Sequence, residues 1–154
     1  MRKQRERKVW FCFYKHHTRI KMKEEFWVNQ ERCVVKTIEE SDVRAFAEVS
    51  GDKNPIHIDE EYAKKSIFGK RIVHGMLSAA YISAVIGNEF PGIGTIYMGQ
   101  NMRFLKPVYI GDEVKVLVRI KELQQNGRAL LQTDVMNRNG ELVIEGEALV
   151  KLPQ

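Results

Sequence analysis

The chain has 154 residues, of which 44% are hydrophobic and 29% charged. That mixture suits one globular domain with a sizeable core, and excludes a disordered chain or two ordinary domains. The net charge of +5 is unevenly spread: residues 1–21 hold eight basic side chains against the single acid Glu6, so the rest of the chain is mildly acidic.

Residues 1–21 are therefore read as a basic N-terminal extension, expected to order poorly, with the domain spanning 22–154 and Met22 as a natural alternative start. No recognition motif accompanies the charge, so no nucleic-acid partner is expected. The apolar stretch Val9–Tyr14 is shorter than the ~7–15 residues a secretory signal needs, and no small-residue cleavage site follows it. Cys12 and Cys33 stand apart from one another and from any metal-ligand spacing, which points to a reducing cytoplasm. His16 and His17 are adjacent, so their side chains diverge on any regular element and no metal site is expected.

After the tail, Glu31–Ile38 reads as a first strand with Val34 and Val35 as core candidates. Ser41 is placed as the N-cap of a short amphipathic helix to Val49, whose Val43, Phe46 and Ala47 recur at helical spacing. Ser50-Gly51 stops it, and Asp52-Lys53-Asn54-Pro55 is a rigid loop, since proline pushes Asn54 away from the helical region. Asp59, Glu60 and Glu61 mark the start of another short helix through Lys64. A second loop, Ser66 to His74, leads to Gly75.

From Gly75 to Asn88 neither charge nor proline intervenes. A helix apolar on nearly every side is a buried one, and this stretch is too short for a membrane span. Four strands follow, Ile93–Phe104, Glu113–Leu123, Ala129–Asn137 and Glu141–Leu152, separated by turn signals at Pro107, Gly111-Asp112, Asn126-Gly127 and Asn139-Gly140. Hairpin-type links imply an antiparallel sheet. One long buried helix beside such a sheet predicts an α+β fold in which the sheet wraps the helix.

The informative stretch is Phe46 to His57. It sets Asp52 and His57 five residues apart on a loop stiffened by Pro55, with Asn54 able to bond back to the backbone. A carboxylate beside an imidazole is what proton transfer near neutral pH needs. Read from pattern alone, Asp52 could equally cap a turn while His57 packs beneath the helix.

This stretch resembles the hydratase-2 motif of the MaoC-like, R-specific enoyl-CoA hydratases. The resemblance continues through Arg71-Ile72-Val73-His74-Gly75-Met76-Leu77, Gly94–Gln100, Pro107–Val114 and Gly146–Pro153, covering the chain from about Ile38 onward. Single-domain hydratases that supply polyhydroxyalkanoate synthesis are the nearest in outline. The resemblance implies a hot-dog fold, an acyl-CoA thioester substrate, a homodimer whose two sheets join edge to edge, and no cofactor or metal. It makes Asp52 and His57 the acid–base pair that grips the water. The amide of Gly75, at the start of the buried helix, becomes the donor to the thioester oxygen, where negative charge develops. Ser83 matches a serine of the family's site. Tyr81, Val85 and Ile86 are candidates for setting acyl length, though each is as readily core. Asn54, Pro55 and His74 are expected to support the site without reacting.

Two rival functions keep the fold. Hot-dog acyl-CoA thioesterases and acyl-carrier-protein dehydratases often place a Glu or Asp on the central helix, whereas Gly75 to Asn88 contains no acid. A non-catalytic acyl-CoA-binding module would be expected to lose one of the acid–base residues, and both stand here.

Overall fold

A computed structural model describes residues 25–154. The basic extension, Cys12, His16, His17 and Met22 lie outside the described residues. The chain runs β1 (Glu31–Thr37), α1 (Glu40–Ser50), α2 (Pro55–Ile58), α3 (Glu60–Lys64), α4 (Gly75–Ala84), β2 (Ile96–Phe104), β3 (Glu113–Gln124), β4 (Arg128–Asn137) and β5 (Leu142–Lys151). It is an α+β fold, with the five strands in one antiparallel sheet ordered β1-β3-β4-β5-β2.

The alternation in β3 makes the core. Val114, Val116, Val118 and Ile120, two residues apart, are at most 1% exposed while their neighbours face outward. Helix α4 packs on β3 and β4 and brings Leu77, Ala79 and Ile82 to the same core. It continues directly into a π-helical turn, Val85–Glu89, whose Val85 and Ile86 pack toward β1 and β3. The sequence reads Gly75–Asn88 as one helix, and the wider turn at its end is the departure. A fully apolar stretch carries no signal for a change of helical pitch.

Strand boundaries agree with the sequence to within a few residues, but neighbour relations do not follow from order. β2 pairs with β5 and not with β3. The link from Leu105 to Asp112 is no hairpin. It crosses to other elements, with Val108 accepting from Val73 N–H at 2.8 Å and Gly111 donating to Ile38 at 2.8 Å. The turns that do close hairpins use left-handed residues, Asn126 (φ 61°) and Gly127 (φ 69°) between β3 and β4. Helix α1 is capped two residues earlier than Ser41, at Glu39: its amide donates to the Asp42 carboxylate at 3.0 Å, the return half of a capping box. Asp59 caps α3 as its sequence suggests, accepting from Tyr62 N–H at 3.0 Å.

No helix among the described residues is long and apolar enough to cross a membrane. Ile82 is fully buried where α4 meets the sheet. Ile82→Ala is expected to lower unfolding free energy by about 2–5 kcal/mol, measured by urea denaturation.

Candidate active site

Two loops between short helices build the site. In the first, Gly51 takes φ 76° as the C-cap of α1, a left-handed turn that side chains resist. The chain then doubles back on itself: Asp52 N–H donates to Ser50 Oγ at 3.1 Å, and Asn54 N–H donates to Asp52 Oδ1 at 3.2 Å. Asn54 Oδ1 in turn accepts from Ile56 N–H at 3.2 Å and caps α2, with Pro55 at the first helical position. These bonds carry His57 from a loop into a four-residue helix and fix its offset from Asp52.

The second loop is clamped from outside by Arg71. Its guanidinium makes a two-pronged contact with Glu40, at 3.0 and 2.6 Å, and reaches Glu60 at 3.2 Å. The hydrogen bond to Arg71 holds the Glu40 carboxyl below its ordinary value of 4.5. The clamp is therefore complete above that value and weakens as pH falls through the depressed one.

The loops are joined through their histidines. His57 Nδ1 bonds the Ile72 carbonyl at 2.8 Å, and His74 Nε2 bonds the Asp52 carbonyl at 2.9 Å. A carbonyl can only accept, so each of those nitrogens carries the proton. The His57 tautomer is thereby set, with its Nε2 lone pair free. The two rings lie 3.9 Å apart between centroids, and the Phe46 ring sits 5.0 Å from that of His74. Burial pushes the His57 value below its ordinary 6.5, helped by His74; the Ile72 carbonyl and the Asp52 carboxylate pull it back only in part. His57 is thus neutral at pH 7 with a base-competent nitrogen.

Asp52, His57, His74 and Gly75 line one cavity of about 430 Å³. The rest of its wall is chiefly apolar, from Phe68, Ile72, Met76, the Phe104–Val108 segment, Val143 and Ile144, with Ser78 among them. Gly75 opens α4 and sits so close to Phe104 that a Cβ would lie 2.7 Å from the ring. Its amide, the first of the helix, has no carbonyl a turn earlier in α4 to bond. Two buried polar atoms in the wall have no protein partner among the described residues, His74 Nδ1 and Ser78 Oγ.

One donor atom each from Asp52, His57 and His74 falls within 4.8 Å of the others. The two imidazoles are inclined by only 31° with centroids 3.9 Å apart, so the rings are close to stacked and do not converge on a shared point. That arrangement suits proton transfer better than a tetrahedral metal site.

The other sequence candidates stand elsewhere. Tyr81 turns toward α1 and β1: its hydroxyl is held well above its ordinary value by burial and by the Asp42 carboxylate, and Lys36 Nζ lies 5.5 Å from its ring. Ser83 is exposed, and Val85 and Ile86 are core. None of the four lines the cavity. Sequence reasoning passed over Ser78, although its position three residues after Gly75 puts it on the same helical face. It also missed Phe104 and Val143, which distant strands bring to the wall.

The family described as MaoC like domain matches residues 20–141. A 3-hydroxybutyryl-CoA dehydratase of Methylorubrum extorquens is 43% identical over 131 residues, covering 85% of this chain and 83% of its own. An (R)-specific enoyl-CoA hydratase of Rhodospirillum rubrum is 44% identical over 124 residues, covering 80% of this chain and 86% of its own. The solved (R)-hydratase from A. caviae, involved in PHA biosynthesis, superposes with a TM-score of 0.82 at 40% identity, over 84% of this chain and 99% of that one.

By NMR the His57 imidazole is expected to titrate below 6.5. Because the folded value is the depressed one, the stability this group contributes is present above the unfolded value and lost as pH falls through the folded one. A midpoint above 6.5 would remove the half-buried neutral base.

Proposed function

This chain belongs to the MaoC-like domain family, and on that premise we propose that it is an R-specific enoyl-CoA hydratase. It adds water reversibly across the double bond of a trans-2-enoyl-CoA to give the (R)-3-hydroxyacyl-CoA. The observation that carries this reading is a neutral His57 with its Nε2 free, fixed by the Ile72 carbonyl, in one cavity with Asp52 and the Gly75 amide.

The chemistry follows from those groups. The Asp52 carboxylate, one oxygen of which is engaged by Asn54, orients a water against His57. Nε2 takes a proton from that water as its oxygen bonds carbon 3. The electron pair of the double bond moves toward the thioester, whose oxygen becomes enolate-like beside the Gly75 amide at the positive end of α4. The proton held by His57 is the one carbon 2 requires, so the elements of water are added with no outside acid and no cofactor. An apolar wall suits an acyl chain and strengthens every charge interaction within.

The finer architecture is part of the proposal: a hot-dog fold, with the sheet wrapping α4 and its π-helical turn as central helix, over 22–154, and residues 1–21 as an extension. Of the two edge strands, β1 and β2, β2 exposes Ile96, Met98 and Phe104, which supports a homodimer joined at sheet edges. On that arrangement Ser83, exposed on α4, and Tyr81, Val85 and Ile86 influence the acyl group from outside the cavity described, through the partner subunit or by shaping the core behind it. Asn54, Pro55 and His74 hold the reacting pair in place. A reducing cytoplasm is the proposed setting.

The test is loss of the conjugated enoyl chromophore of crotonyl-CoA, with the product passed to an R-specific 3-hydroxyacyl-CoA dehydrogenase. Wild type is expected to give an R product, while Asp52→Asn, with native melting, and His57→Ala each lose about 10²–10⁴-fold in kcat. Release of free CoA, or near wild-type rates in either variant, would overturn the assignment.

In the wild type, kcat/KM is expected to fall on the acid side with an apparent midpoint below 6.5, since protonation of His57 removes the base. A pH–rate profile reads it directly.

A further inference from the structure

Ser78 is 2% exposed, lines the cavity, and its hydroxyl has no partner among the described residues. A serine inside a helix ordinarily returns its hydroxyl to the carbonyl four residues earlier. Here that carbonyl, of His74, already accepts two amides, Leu77 N–H at 3.1 Å and Ser78 N–H at 3.4 Å. Both of its lone pairs are occupied, and the hydroxyl is left with an unmet donor in a wall that is otherwise mostly apolar.

The position of that donor is informative. Ser78 stands three residues beyond Gly75, so the two share a face of α4. Side chains on a helix lean toward its N-terminus, which directs the Ser78 hydroxyl back along the face toward the first-turn amides. The remaining polar groups of the wall do not compete for a developing anion: the Asp52 carboxylate repels it, His74 presents a lone pair at Nδ1, and Lys106 is paired with Glu141 at 2.5 Å.

We propose that the Ser78 hydroxyl is a second donor to the thioester oxygen, acting with the Gly75 amide. This rests on the hydratase reading and deepens it. As the water oxygen bonds carbon 3, charge gathers on the thioester oxygen, and two donors from one helical face meet it there. Both are in place beforehand, so neither needs to move as charge develops. Ser78 is thus a catalytic residue that takes no proton.

The experiment compares wild type, Ser78→Ala and Ser78→Cys with crotonyl-CoA, alongside the spectrum of bound acetoacetyl-CoA, whose enolate absorbs distinctly. Ser78→Ala is expected to lose kcat about a hundredfold with KM nearly unchanged, because the bond is made chiefly in the transition state. Ser78→Cys, a weaker donor of similar size, is expected to fall between. The bound enolate fraction should drop in the same order, which a purely packing role would not produce. Ser78→Ala with native melting, wild-type kcat and an unchanged enolate spectrum would overturn the proposal and leave the hydroxyl bonded to His74 or its own helix. Wild type without hydratase activity would overturn the hydratase reading itself, a different result from wild type active and Ser78→Ala equally so.

Discussion

The site depends on a pair of crossed hydrogen bonds. Each of the two loops contributes one histidine, and each histidine bonds a main-chain carbonyl of the other loop: His57 to Ile72, and His74 to Asp52. The Ile72 amide adds a third tie, to the Ile56 carbonyl at 3.3 Å. The first loop leaves the end of α1 and the second enters α4, and between those ends they hold one another. Together they form a unit in which the bonds that fix the backbone are the same bonds that fix the proton on each ring. Structure and tautomer cannot be separated here, because the carbonyl that anchors His57 also forces its other nitrogen to be the acceptor.

The electrostatics follow from this arrangement. An imidazole taken partly out of water favours its neutral form, and the adjacent His74 ring reinforces that preference. The nearby carboxylate opposes it without reversing the direction. The same partial burial that lowers the proton affinity of His57 sets it against the apolar wall of the cavity, while Asp52 stays open to solvent. The two effects serve one end, a base that is uncharged at rest and takes up positive charge only while a substrate fills the space beside it. Arg71 stands outside, bracing the second loop against α1 and α3 through Glu40 and Glu60.

Much of this was legible in the sequence, for reasons that differ by element. Gly51, Asn54 and Pro55 are residues whose backbone chemistry is local, so their turn and the offset of Asp52 from His57 could be read directly. The cap of α3 at Asp59 is local too, whereas the cap of α1 falls on Glu39 and not on Ser41. Strand order was not legible, because the segment after Phe104 looks like a turn by composition while its hydrogen bonds go to residues far away in the chain. The faces of α4 were hidden for the opposite reason. A helix apolar all round gives no stripe to orient it, so Tyr81, Val85 and Ile86 were as eligible for the cavity as Met76 or Ser78. Only packing chooses among them, and it turned the first three toward the core and α1.

Phe104 ties these levels together. It is the last residue of the edge strand β2, half open to solvent, and its ring rests against Gly75 with no room for a side chain between them. The outermost strand of the sheet and the first amide of the buried helix therefore touch through one aromatic ring. A strand whose outer hydrogen-bonding groups are unspoken for is the part of a sheet most readily tugged or splinted from outside. A strand laid along β2 from outside would therefore lie one aromatic ring away from the start of α4.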